Sequence, residues 1–82
     1  MNQVNILFFA TLRDKVGARK LEMELPGEAT VGELKDRLVH EYPNLATLRE
    51  SIMAAINREY AGDEQVIPSK AEIAFFPPVS GG

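Results

Sequence analysis

The sequence predicts a small α+β domain in which one amphipathic helix packs across one face of a mixed β-sheet. Three observations predict it. Strand-like apolar segments stand near both ends of the chain, one clearly periodic helix lies between them, and 82 residues provide a single small core. One amphipathic helix cannot cover both faces of a sheet, so we expect the opposite face to be left open.

The N-terminal part of the chain reads as two strands joined by a short helical turn. Residues 4–9 are a β-branched and aromatic run, which predicts the first strand. Residues 11–16 follow as a helical turn that Gly17 ends. Residues 20–25 alternate charged and apolar side chains, so they predict a second strand with one face in water.

The main helix has the clearest start and stop signals. Thr30 and Glu33 have the spacing of a capping box, in which each side chain accepts a hydrogen bond from an unpaired amide at the helix start. Pro43 disfavours helical geometry at the residue before it and so ends the helix. The apolar stripe between these signals consists of Val31, Leu34, Leu38 and Tyr42.

The C-terminal part returns to strand patterns. After an irregular stretch, residues 52–56 predict a third strand, residues 57–62 a turn and residues 65–67 a short fourth strand. Residues 71–76 predict the last strand, which Pro77 and Pro78 stop. The resulting order is strand, strand, helix, strand, short strand, strand, which is the order of a β-grasp domain. We expect this domain to span residues 1–78, with a flexible tail at residues 79–82.

The composition excludes several classes of function. No cysteine and a single histidine leave no thiolate nucleophile and no zinc cluster, so we expect no metal site. The net charge of −3 argues against a nucleic-acid binder, which needs a clustered positive face. No apolar run approaches the ~20 residues that span a bilayer, and no leader pattern is present, which predicts a cytoplasmic protein without membrane contact.

The alternation of side chains in the outer strands predicts an apolar patch on the open face. In the first strand Leu7 and Phe9 point to the same side as the polar Asn5, away from the helix. In the last strand Phe76 points to the same side as Glu72. Two aromatic side chains and a leucine together are typical of a partner interface. The alternatives are that loops cover them or that they are scattered apolar surface.

The chain ends in Val79-Ser80-Gly81-Gly82, directly after two prolines. These four residues reach roughly 13 Å when extended at ~3.3 Å each, and glycines without Cβ atoms fit a narrow channel. The α-carboxylate of Gly82 is sterically open, which suits a carboxylate that is activated as an acyl-adenylate and transferred. The alternative is an inert, frayed terminus.

The opening Ile6-Leu7-Phe8-Phe9-Ala10 and the closing Phe-Phe-Pro-Pro-Val-Ser-Gly-Gly of residues 75–82 resemble the small subunit of molybdopterin synthase, the MoaD family. The resemblance covers essentially the whole chain. It implies a ubiquitin-like β-grasp fold and a sulfur carrier that is not an enzyme by itself.

In that family the terminal carboxylate, here that of Gly82, is adenylated with ATP by an E1-like (MoeB-like) enzyme. A sulfur donor protein then converts it to a thiocarboxylate. The tail enters the active site of the large (MoaE-like) subunit and donates sulfur to cyclic pyranopterin monophosphate, in molybdenum cofactor biosynthesis. The resemblance therefore implies a heterotetramer and no bound cofactor other than the covalent C-terminal thioglycine.

Three positions match family contacts with the large subunit: Phe9, Phe76 and Tyr60. Tyr60 departs from the aliphatic residue that is common there, and Leu7 joins the set by strand alternation alone. Two other functions stay open for a Gly-Gly end, a ubiquitin-like protein modifier and a thiamine-type sulfur carrier. A plain binding domain with an inert tail is a third.

Overall fold

The computed structural model describes residues 2–77, so the predicted tail and Pro78 lie outside the described residues. Seven regular elements and a 3₁₀ helix build the fold. They are β1 (Asn2–Phe8), α1 (Thr11–Val16), β2 (Lys20–Leu25), α2 (Val31–Glu41), the 3₁₀ helix (Pro43–Leu48), β3 (Met53–Ile56), β4 (Glu59–Ala61) and β5 (Glu72–Phe76).

The five strands form one mixed sheet in the order β2-β1-β5-β3-β4. The first and last strands of the chain, β1 and β5, pair in parallel, while the other neighbours are antiparallel. The last strand of the chain, β5, therefore lies in the centre of the sheet, between β1 and β3. With α2 packed on one face, this is the ubiquitin-like β-grasp arrangement, and the predicted fold class is confirmed.

The core lies between α2 and the sheet. Alternate residues of β1 and β5 are buried together with the apolar stripe of α2, as the alternation and the helix period predict. Burial of each such side chain contributes about 1.5–3 kcal/mol. The residues of β1, β5 and α2 that contribute to this core are Val4, Ile6, Phe8, Ile73, Phe75, Val31, Leu34 and Leu38.

The predicted capping box at the start of α2 is confirmed. The backbone N–H of Glu33 donates to Thr30 Oγ1 at 3.2 Å, and the backbone N–H of Thr30 donates to Glu33 Oε1 at 2.9 Å. The helix ends before Pro43, where Tyr42 leaves helical geometry with φ −128°. Both ends of the helix are therefore set by local side-chain chemistry.

The prediction for residues 57–67 is wrong. Asn57 and Arg58, with φ of 48° and 74°, form a two-residue turn. The next residue, Glu59, begins β4, although the sequence predicts a turn over all of residues 57–62. The predicted strand at residues 65–67 is absent from the sheet: Val66 makes an isolated bridge with Thr30, because the chain here passes the start of α2. The other predicted strands and helices are confirmed, with ends that differ by at most two residues.

Candidate docking surface

The helix-free face of the sheet carries one row of side chains across four strands. The register places Leu7 beside Ala74, Ala74 beside Ala55, and Ala55 beside Tyr60. The two small alanines in the middle leave space between larger neighbours, and a groove of about 350 Å³ lies there. The residues that line this open-face groove are Leu7, Phe9, Ala55, Arg58, Tyr60, Glu72, Ala74 and Phe76.

Three aromatic rings form one wall of the open-face groove. The rings of Phe9 and Phe76 stack with centroids 4.9 Å apart and planes 9° apart. The ring of Tyr60 lies 6.5 Å from that of Phe76, tilted by 57°. Phe9 is 43% exposed and Tyr60 77% exposed. Exposed aromatic side chains around small residues are the composition of protein-protein interfaces, so this surface is suited to docking a partner.

The backbone fixes the position of Phe9 just beyond the end of β1. Its N–H donates to the carbonyl of Phe75 in β5 at 3.2 Å, and its carbonyl accepts from the N–H of Leu12 at 3.1 Å. Between them Ala10 adopts φ 54°, which turns the chain sharply into α1. Phe9 is thereby held beside β5, where its ring meets Phe76.

All four side chains predicted for partner binding, at positions 7, 9, 60 and 76, line the open-face groove. Their role in partner binding stays a prediction. The predicted tail residues 79–82 lie outside the described residues. Sequence reasoning missed Met53, which pairs across the strands with Phe76 and is 38% exposed beside the groove. The alternation that identified Phe76 applies to β3 as well, but no polar residue in β3 marks its outward side.

A cluster of charged side chains anchors the hairpin that carries Tyr60. The ammonium of Lys35, which is 6% exposed, donates to the carbonyl of Ile52 at 2.7 Å and to Asp63 Oδ1 at 2.8 Å. Arg49 donates to Asp63 Oδ2 at 3.0 Å and to Asp36 Oδ1 at 2.7 Å. Ile52 directly precedes β3 and Asp63 follows β4 by two residues. The cluster therefore ties both ends of the hairpin to α2 and positions Tyr60.

The hydrogen bonds from Lys35, and then from Arg49, lower the pKa of Asp63 from its ordinary 3.8. A carboxylate whose folded-state pKa is lowered stabilises the fold above its unfolded pKa and loses that contribution as the pH falls through the folded value. We therefore expect Asp63→Asn to lower the free energy of unfolding most above about pH 4. The difference from the wild type should shrink below that pH. Urea unfolding between pH 7 and pH 2.5 measures it, and a difference that stays constant over this range contradicts the assignment.

Two further properties concern the described residues. No group of three or more histidine, aspartate or glutamate side chains within residues 2–77 is arranged to hold a metal ion. Over the same range, no helix combines the length and the apolar character that a membrane crossing requires.

Comparison with known proteins identifies the family of this chain. The family model described as "ThiS family" matches residues 6–82, which include the open-face groove and the tail. The chain belongs to the ThiS family. Within this family its relatives include sulfur carriers of molybdopterin synthase, so the resemblance found in the two end segments is confirmed.

Two of these ThiS-family relatives cover the whole length of the chain. The molybdopterin synthase sulfur carrier subunit of Dictyostelium discoideum is 39% identical, over 99% of this chain and 98% of the relative. The subunit of the same name from Caenorhabditis briggsae is 37% identical over 100% of both chains. Among solved structures, SAMP1 from Haloferax volcanii superposes with a TM-score of 0.83 at 31% identity, over 99% of this chain and 100% of that one.

Proposed function

We propose that the chain is the sulfur-carrier subunit of a cytoplasmic molybdopterin synthase in molybdenum cofactor biosynthesis. The observation that carries the proposal is the full-length similarity to sulfur carrier subunits of that enzyme. The geometry supports it, because the aromatic wall of the open-face groove lies at the end of β5, the strand that leads into Gly81 and Gly82. The domain supplies a surface that binds partners, and the tail supplies the reactive group.

In the proposed cycle an E1-like, MoeB-like enzyme first activates the carboxylate of Gly82. The carboxylate oxygen attacks the α-phosphorus of ATP, pyrophosphate leaves, and an acyl-adenylate forms. A sulfur donor protein then supplies sulfur at the oxidation level of sulfide, which attacks the carbonyl carbon and displaces AMP. The product is a thiocarboxylate on Gly82. A carboxylate alone is a poor acyl donor, and for this reason the adenylation step precedes sulfur transfer.

In the second half of the proposed cycle the thiocarboxylate enters the active site of a large, MoaE-like subunit. Its sulfur is a soft nucleophile at neutral pH and attacks a carbon of cyclic pyranopterin monophosphate. The new carbon–sulfur bond replaces a carbon–oxygen bond at that carbon, and the displaced oxygen leaves with a proton. Water then cleaves the resulting thioester, which leaves the sulfur on the pterin and restores the carboxylate of Gly82. The large subunit supplies the pocket that orients the reacting atoms. Two small and two large subunits form the proposed heterotetramer.

The reach of the tail agrees with this division of labour. Five residues follow Pro77, so Gly82 extends at most roughly 16 Å beyond it at ~3.3 Å per residue. The aromatic wall of the groove includes Phe76, the last residue of β5. A partner that binds the groove is therefore close enough to receive the end of the chain in its own active site.

Intact-mass spectrometry tests the proposal directly. The purified chain, incubated with the cognate MoeB-like enzyme, ATP and the sulfur donor, should gain the mass difference of one oxygen replaced by one sulfur. Fragmentation should confine that difference to Gly82. Omission of ATP is the control and should leave the mass unchanged. If the MoeB-like enzyme adenylates the chain but the chain gains no sulfur, the proposed sulfur-carrier role is wrong.

A second candidate function is protein modification. The observation that favours it is the similarity to SAMP1, whose solved structures name it a small archaeal modifier protein. After the same adenylation, the amine of a lysine would attack the carbonyl of Gly82, displace AMP and leave an isopeptide bond. High-mass conjugates that withstand denaturation and thiols in extracts of the host would support this function. Their absence, together with sulfur loading of Gly82, would favour the sulfur carrier.

A further inference from the structure

Arg58 adopts a backbone conformation that most side chains avoid. It is the second residue of the turn between β3 and β4, with φ 74°, a position at which glycine is the usual residue. An arginine here destabilises the free domain relative to glycine, because its Cβ crowds the backbone at positive φ. The residue is therefore not explained by the needs of the turn.

The side chain of Arg58 lies where a docked partner would meet it. It is exposed and lines the open-face groove beside Tyr60 and Glu72. Within residues 2–77, no carboxylate lies within 4.0 Å of its guanidinium, whereas Arg49 is held by Asp36 and Asp63. The described part of the chain thus leaves the planar set of N–H donors of Arg58 facing outward at the edge of an apolar surface.

We propose that Arg58 binds a carboxylate, from an aspartate or glutamate side chain of the large subunit, when that subunit docks on the open-face groove. The inference rests on the proposed function, which supplies the partner. The two parallel N–H groups of a guanidinium match the two oxygens of a carboxylate in spacing and plane. The negative charge of Glu72, which also lines the groove, repels a partner carboxylate placed next to it. The opposite charges of Arg58 and Glu72 therefore favour one position of the partner along the groove.

Replacement of Arg58 by glycine tests the inference, because it should act in opposite directions on stability and binding. Relief of the backbone conformation should raise the melting temperature of the free domain by roughly 2–6 °C. Loss of the guanidinium should weaken binding to the purified cognate large subunit about tenfold at ~50 mM salt, measured by calorimetry. At ~1 M salt the affinity difference between the wild type and Arg58→Gly should narrow, because ions screen the charge pair.

Lys70 offers a matched control. It also adopts positive φ, at 62°, carries the same charge and is exposed, but it does not line the groove. Lys70→Gly should therefore raise the melting temperature in the same way and leave the affinity for the large subunit unchanged. Arg58→Lys keeps the charge but loses the two parallel N–H groups that match a carboxylate. It should therefore bind the large subunit with an affinity between those of the wild type and Arg58→Gly.

The possible outcomes distinguish a failure of the role of Arg58 from a failure of the proposed function. Equal affinities of the wild type and Arg58→Gly, or an equal loss in Lys70→Gly, would overturn the role of Arg58. If Phe76→Ala weakens binding at the same time, the open-face groove stands as the docking surface. A wild-type chain that does not bind the large subunit at all contradicts the proposed function itself, and the role of Arg58 falls with it.

Discussion

A chain that lacks Gly82 is expected to lose sulfur loading while it keeps its fold and its binding to the large subunit. The deletion leaves a glycine carboxylate at the chain end, but moves it back by about 3.3 Å. Misplacement of a reacting atom by ~1 Å costs on the order of 100-fold in rate. Intact-mass spectrometry after incubation with the MoeB-like enzyme, ATP and the sulfur donor measures the loss.

Adding one alanine after Gly82 is the complementary change and should also abolish loading. It keeps every native residue but makes the carboxyl carbon of Gly82 part of a peptide bond. The only terminal carboxylate is then that of the added alanine, one residue beyond the position that the activating enzyme binds. Gly82→Ala keeps the length and serves as the matched variant, which separates chain length from the need for a residue without Cβ. If the extended chain still loads and transfers sulfur, the reaction does not occur at the terminal carboxylate and the proposed role of Gly82 is wrong.

The sequence predicts Leu7, Phe9 and Phe76 of the candidate docking surface because two strands contain polar markers, whereas Tyr60 follows only from the family resemblance. Asn5 in β1 and Glu72 in β5 identify the outward side, and the structure buries the opposite side of both strands. In β3 the outward Ala55 is buried like the inward Ala54, although only Ala54 belongs to the core between α2 and the sheet. Hydrophobicity alone therefore does not distinguish the two sides of β3.

The hairpin between β3 and β4 was missed for a different reason. The sequence pattern that usually indicates a two-residue turn with positive φ at both residues is Asn-Gly. Here the second residue is Arg58 in place of glycine. Residues 57–62 consequently resembled a plain turn. The glycine that would predict the hairpin is thus absent at the position whose exposed side chain lines the groove.

The charged cluster beneath the hairpin has no local signature at all. Lys35 and Asp63 are separated by 28 residues along the chain, and each resembles an ordinary surface residue of a helix or a turn. Only the packing of α2 against the sheet brings them together. The sequence thus predicts elements whose cause is local, such as the capping box, and does not predict side-chain pairs that the fold brings together.

Truncation of either stacked phenylalanine on the open face should weaken binding of the large subunit strongly and leave the domain folded. Exposed aromatic anchors that become buried in an interface contribute about 2 kcal/mol or more, which corresponds to about a thirtyfold loss of affinity for Phe9→Ala or Phe76→Ala. Because both side chains lie on the helix-free face, outside the core between α2 and the sheet, the melting temperature should change little. Calorimetric titration with the purified large subunit, beside thermal unfolding, measures both quantities.

Val66 supplies the matched control for these variants. It is 47% exposed but does not line the open-face groove, so Val66→Ala removes apolar surface at a site where no partner is expected and should not change the affinity. The stacking of Phe9 on Phe76 adds a further expectation: the double variant should lose less affinity than the two single losses combined, since each ring supports the other. If both single variants unfold while their folded fraction binds normally, the two rings stabilise the domain and the docking surface lies elsewhere.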